Sequence, residues 1–236
     1  MISVGAVLVD FDGTACLHDV AEHLLVAFGE DGSWPGYDDA WDRGEIGGHD
    51  TIGAQAAMVR GTTAQLIEFA RAHCPMDPTF APFLRWLQGL KVPVALVSDG
   101  FGFYIEPILK RAGIDGVDIV TNRWDKEDGQ PARMSFVNGH PECVGCGTCK
   151  MQAVLRYRER YGPIAFIGEG PSDRFGALYA DIVFAKDALP AYCRADGVPF
   201  VDWNDFDDVR RELEKNATLP GAVSPIGCPG WRLPSP

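Results

Sequence analysis

The chain has 236 residues, 46% of them hydrophobic and 23% charged, with a formal net charge of −12. That length supports one sizeable core, or a core with a small insert, and the acidic balance argues against a nucleic-acid surface or a polybasic membrane patch. No apolar stretch approaches the roughly 20 residues that cross a bilayer. The N-terminal "MISVGAVLVDFDGT" lacks a basic n-region and a cleavage site, so the sequence reads as cytoplasmic. Seven cysteines, an odd number without a leader, point to reduced thiols rather than a disulfide scaffold.

Residues 4–9 form a short valine-rich run, the pattern of a strand buried on both faces. It ends in Asp10-Phe-Asp12-Gly-Thr14. From 18 to about 75 the spacing turns helical, with Val20, Leu24, Leu25 and Phe28 on one face and "TAQLIEFARAH" opening on a Thr cap signal. After Pro75 and Pro78 the pattern alternates. A helix is predicted over 79–90, a buried strand in "VPVALVSDG", and a helix in "FYIEPILKRAG" that ends at Gly113. Strands are expected in "VDIVTNRW" and "RMSFVNG", then a helix from Lys150 to Tyr161. Strands follow in "IAFIGEG", "ADIVFA" and "PFVDW", before a helix at 205–215 and an irregular Pro/Gly-rich tail over 216–236. Strands alternating with helices imply an α/β fold with a doubly wound parallel sheet. The expected organisation is a core of residues 1–15 and 77–236, with a small helical domain of residues 16–76 inserted after the first strand.

The strand ends carry chemistry. An acid at a strand end is commonly a turn residue or cap, but here three apolar strands deliver acids to one sheet edge. Asp10 and Asp12 close the first, Ser98 and Asp99 the second, and Glu169 and Asp173 a third, while Lys150 opens a helix between them. Ligands of such sheets sit outside the carboxyl ends of the strands. Crowded carboxylates repel one another and shift each other's pKa values. A chain tolerates that when a cation joins them, and Mg²⁺ suits a set of hard oxygen ligands.

These motifs resemble the haloacid dehalogenase (HAD) superfamily of phosphatases. Asp10-Phe-Asp12-Gly-Thr14, Ser98-Asp99-Gly100, Lys150 and Gly168-Glu169-Gly-Pro-Ser-Asp173 stand in that family's order. The helical insert resembles the C1 cap of its phosphoserine phosphatase-like branch, subfamily IB. "WDRGEIG" and the cysteine-rich loop resemble the 2-hydroxy-3-keto-5-methylthiopentenyl-1-phosphate phosphatases of methionine salvage. The resemblance implies a Rossmann-like core and a Mg²⁺-dependent phosphatase that works through an aspartyl-phosphate on a small phosphorylated metabolite. It gives Asp10 as nucleophile, Asp12 as acid and base, and Ser98 as a phosphate donor beside Asp99 and Gly100. Lys150 would neutralise transferred charge. Mg²⁺ would be held by Asp10, the Asp12 carbonyl, Glu169 and Asp173. His18 and Glu22, four residues apart at the start of the insert, would face the leaving group. The family's last motif begins Gly-Asp, whereas this chain has Glu169. That departure leaves open a non-catalytic phosphometabolite-binding protein, and the scaffold itself also admits a phosphotransferase or mutase. A monomer or homodimer is expected.

His140, Cys143, Cys146 and Cys149 follow one another at intervals of three. They admit a structural Cys₃His zinc site or a loop of reduced thiols that simply packs, and the spacing alone weighs toward the latter. A ferredoxin-type cluster lacks its fourth cysteine, because position 153 is Ala.

Overall fold

The computed structural model describes residues 2–127 and 129–215 together with Cys228 and Gly230. The expectation of an irregular tail over 216–236 therefore falls outside the described residues, apart from those two positions.

Six parallel strands form the central sheet. They are β1 (Ala6–Val9), β2 (Val94–Val97), β3 (Asp118–Val120), β6 (Ile164–Gly168), β7 (Ile182–Ala185) and β8 (Val201–Asp202), and they lie side by side in the order β3-β2-β1-β6-β7-β8. Their composition follows from their position. β1, β2 and β6 are buried at every residue, as parallel strands covered on both faces must be. Successive side chains alternate between two cores. Val7 and Val9 join one hydrophobic cluster, and Ala6 and Leu8 the other. The order reverses at β1, which pairs with β2 on one side and β6 on the other, for example Val9 with both Leu96 and Ile167. The three acid-bearing motifs thus open onto one crevice at the topological switch point.

Between β1 and the core helix α5 (Phe80–Gly89) lie α1 (Val20–Phe28), α2 (Pro35–Asp42), α3 (Gly48–Met58) and α4 (Thr63–His73). Two of them start on identifiable caps. Asp19 accepts the Glu22 N–H, and Thr62 forms a reciprocal capping box with Gln65. Val20, Leu24, Leu66 and Ala70 from these helices share the cluster that covers the Val7/Val9 face of the sheet. The remaining helices are α6 (Ile105–Arg111), α7 (Lys150–Tyr161), α8 (Arg174–Ala177), α9 (Leu189–Asp196) and α10 (Phe206–Glu214).

Two elements depart from the sequence reading. The single strand expected in "VDIVTNRW" breaks after β3, and its end forms β4 (Arg123–Asp125), which pairs antiparallel with β5 (Arg133–Ser135) of "RMSFVNG", apart from the main sheet. Their short runs are only partly buried, so nothing draws them between the core strands. Helix α9 was not anticipated. Eight residues with a proline in the first turn resemble a loop, although Pro190 near its start and Gly197 after it in a left-handed conformation (φ 68°) are helix boundary signals. Among the described residues no helix is long and apolar enough to cross a membrane.

Candidate active site

The chain leaves β1 through a wide turn closed by Ala15 N–H to Asp10 O (3.3 Å) and Cys16 N–H to Phe11 O (2.8 Å). Phe11 is buried in the core, and Asp10 and Asp12 on either side of it face a common cavity. Gly13 makes the turn possible in two ways. Its φ of 71° is a left-handed conformation that side chains resist, and a Cβ there would lie 3.1 Å from the Glu169 carboxyl carbon. The longer Glu169 side chain therefore folds back over a space that glycine keeps clear.

Lys150 is fully buried at the first position of α7. Its ammonium donates to Asp10 Oδ1 (2.8 Å), Asp173 Oδ1 (2.6 Å) and Ser172 Oγ (2.9 Å), an acceptor for each of its three protons. Asp173, also fully buried, uses Oδ2 to accept the N–H groups of Glu169 (2.8 Å) and Gly170 (3.0 Å). A Cβ on Gly168 would lie 2.4 Å from the Asp173 carboxyl carbon, so the glycine ending β6 is what admits this carboxylate. Burial works against the Lys150 charge, but Asp10, Asp173 and Asp99 outweigh it and hold the ammonium well above its ordinary range.

Asp12 has a separate set of partners. Its carboxylate accepts from Val20 N–H (3.0 Å), Ser98 Oγ (3.0 Å) and the Tyr104 hydroxyl (2.9 and 3.0 Å to the two oxygens). Burial first, then the nearby Asp19 charge, push Asp12 up to about 7, against these donors. The same logic governs its neighbours. Glu169 rises to about 8 through burial and Asp173. Asp10 is raised well above the carboxylate range by burial and Asp173, with Lys150 opposing.

Asp10, Glu169 and Asp173 each bring a carboxylate oxygen within 4.8 Å of the others. Oxygens on an octahedral Mg²⁺ at 2.0–2.1 Å stand roughly 3–4 Å apart, so a small inward movement gathers this set. Hard oxygen donors and close spacing make the cluster a fit for Mg²⁺. The Asp12 carboxylate lies outside it.

The cavity beside these groups has a volume of about 290 Å³ and is lined as well by Asp19, Glu22, Leu25, Trp34, Trp41, Thr51 and Gln55. Eight of the residues lining it are Asp or Glu, and among the described lining residues none is Lys, Arg or His. Of the two residues expected to meet a leaving group, Glu22 lines the cavity. His18 lies against His23, with ring centroids 4.7 Å apart and planes tilted by 31°, and is not among the lining residues.

A family model described as haloacid dehalogenase-like hydrolase matches residues 7–175. The chain belongs to that family. The bifunctional enzyme MtnB/MtnX of Bacillus licheniformis is 27% identical over 90% of this chain, which spans half of that longer protein. A 2-hydroxy-3-keto-5-methylthiopentenyl-1-phosphate phosphatase of Lysinibacillus sphaericus is 32% identical over 66% of this chain and 72% of its own. A solved phosphoserine phosphatase carrying a phospho-aspartyl intermediate analogue superposes with a TM-score of 0.65 over 89% of this chain and 98% of its own, at 15% identity. At that identity the likeness speaks for the haloacid dehalogenase-like fold alone.

Within this family frame, the strand-end motifs converge as the sequence suggested, but the second motif is bonded differently. Ser98 accepts the Gly100 N–H (3.0 Å) while donating to Asp12. The Asp99 carboxylate accepts the Thr148 N–H at 2.6 Å and so fixes the loop before Lys150. Tyr104 and Ser172 were missed. The one signal for the first is steric: a Cβ on Gly100 would lie 1.9 Å from the Tyr104 hydroxyl, so the glycine reports the phenol's position.

Proposed function

We propose that this hydrolase is a Mg²⁺-dependent phosphatase acting on a small phosphomonoester whose alcohol portion is neutral or cationic. The observation that carries the reading is the buried Lys150–Asp10–Asp173 ion triad set beside Glu169 at the floor of a cavity. Family membership and relatives named as phosphatases support it.

Lys150 holds Asp10 Oδ1, which leaves Oδ2 for in-line attack on phosphorus. The P–O bond to Asp10 forms as the ester P–O bond breaks, and the departing alkoxide takes a proton from Asp12. Asp12 then accepts a proton from water as that water attacks the aspartyl-phosphate, releasing phosphate and Asp10. A group at about 7 serves both halves near neutrality. Asp10, Glu169 and Asp173, with the Asp12 carbonyl, would hold Mg²⁺, which when bound supplies charge neutralisation at the phosphoryl oxygens. The helical segment of residues 16–76 acts as the cap that excludes water and reads the alcohol. Seven free cysteines fit a reducing compartment, as a cytoplasmic enzyme requires.

The acidic lining limits the substrate. Each further negative charge on the alcohol meets Asp19 and Glu22, with no Lys, Arg or His among the described lining residues to offset them. The expected penalty is on the order of tenfold or more per charge, or about 1.4 kcal/mol. Phosphate release should therefore be seen with amino-alcohol or polyol phosphates, be lost in EDTA, and be weaker with phosphoglycolate or phosphoserine. Absence of Mg²⁺-dependent release across the whole panel overturns the reading, and transfer to an added alcohol in place of water replaces hydrolysis with phosphotransfer.

Tyr104 positions Asp12 and favours its ionised form. In Tyr104→Phe the carboxyl loses a donor and holds its proton more tightly, so the alkaline limb of kcat should move to higher pH. A rate–pH profile unchanged in position would remove Tyr104 from this role.

A further inference from the structure

Four cysteines are buried around the loop that precedes Lys150, one more than the motif in the sequence suggested. Cys143, Cys146 and Cys149 are buried in the loop leading to α7, and Cys228, from the far end of the chain, is buried with them. The N–H of Gly145 donates to Cys143 Sγ at 3.4 Å. Gly230 stands two residues after Cys228, as Gly145 does after Cys143. Cys146 and Cys228 belong to the same buried cluster as Ala153 and Val154 of α7. Backbone N–H groups two residues after a cysteine, aimed at its sulfur, stabilise a thiolate rather than a thiol. Glycine at both of those positions lets the two turns touch. A Cβ on Gly145 would lie 2.6 Å from the Gly230 Cα, and one on Gly230 only 3.4 Å from Cys143 Sγ and 3.6 Å from Cys228 Sγ.

We infer that Cys143, Cys146, Cys149 and Cys228 form a tetrahedral structural zinc site that fastens the end of the chain to the loop presenting Lys150. The chemistry selects the ion. Four sulfurs are soft donors suited to Zn²⁺ and not to Mg²⁺. All seven cysteines are free, so no disulfide explains the gathering. His140 is not needed as the fourth ligand, since Cys228 supplies it, and its Nδ1 accepts the Glu142 N–H at 3.1 Å. Among the described residues only the carboxylate set has all its ligand atoms within 4.8 Å. The sulfurs are more widely spread, and zinc would draw them to about 3.8 Å, the edge of a tetrahedron with 2.3 Å bonds. The loop is a junction worth fixing. Gly145 O accepts the Trp41 indole N–H at 2.9 Å, Val144 O accepts the His49 N–H at 3.2 Å, and Thr148 is bonded to Asp99. The site would thus tie Lys150, the cap and the chain end together without touching substrate.

Metal content of the full chain, purified reduced and without chelator from zinc-supplemented cells, tests this. One Zn²⁺ per chain is expected, and Co²⁺ exchanged into it should show thiolate charge-transfer bands. The ion should be lost from Cys143→Ser and Cys228→Ser but kept in Asp10→Asn. In the unmutated chain, the four thiols should react with a thiol reagent only after a strong chelator is added, which keeps the test sound if a variant folds poorly. Zinc-free protein, retention of the ion by Cys228→Ser, or iron with sulfide in its place would overturn the assignment.

Discussion

Asp10→Asn should lower phosphate release by a factor on the order of 10⁴ or more, the scale seen when a covalent nucleophile is removed. The amide is the same size and sits in the same turn, so the cavity and the Asp12 bonds to Ser98, Tyr104 and Val20 are not disturbed. Lys150 keeps Asp173 and Ser172 as partners. What distinguishes this outcome from general damage is stability. Burial and the Asp173 charge raise the Asp10 proton affinity well above that of an unfolded carboxyl. A group whose folded pKa is raised contributes stability while protonated and loses it as pH rises through that window. An ionised Asp10 therefore costs the metal-free fold stability near neutrality, and the neutral amide does not. The thermal midpoint of Asp10→Asn in EDTA should equal or exceed that of the parent, while Mg²⁺ should stabilise the parent more than the variant. Activity within tenfold of the parent would remove Asp10 as the nucleophile.

The convergence of the strand-end side chains was legible because each follows a short apolar run that can only be a buried parallel strand. These runs lack the apolar–polar alternation of a half-exposed strand. Once Val9, Leu96 and Ile167 are placed side by side, the residues after them must share an edge. Asp10, Ser98 and Glu169 needed no more than that. The bonds those groups make were not legible, since they depend on side chains arriving from elements whose position the pattern does not set. Tyr104 reads as an ordinary aromatic before α6, yet its hydroxyl bridges both Asp12 oxygens. Ser172 is one more turn residue, yet it completes the Lys150 shell. His18 was placed toward the cavity by helical spacing alone, but it precedes the Asp19 cap, where helical geometry has not begun. Cys228 stands so far from Cys149 in sequence that no local spacing could pair them.

Lys150→Met should cost both rate and fold, and the pH dependence of the second effect identifies its cause. The methionine fills most of the volume but leaves Asp10 and Asp173 facing each other in a buried site. Removing one partner of a buried ion pair destabilises by about 3–5 kcal/mol, because a charge is left uncompensated. Lys150 is the group that lowers the Asp10 pKa against burial and Asp173, so without it the folded pKa climbs further. With more protons bound folded than unfolded, stability falls as pH rises above the unfolded carboxyl range. Urea unfolding should therefore show a small difference from the parent near pH 4 that widens toward pH 8. Mg²⁺ should recover part of the difference by placing a cation against the same carboxylates. On the catalytic side, loss of a preorganised charge beside the phosphoryl group should lower kcat about 10²–10³-fold, or about 2.7–4 kcal/mol. Lys150→Arg should not rescue the rate, because a fully buried ammonium with three short bonds leaves no room for a planar guanidinium. A surface lysine would behave oppositely, with no pH-dependent loss and free exchange for arginine, and that result would dismantle the triad as the centre of the site.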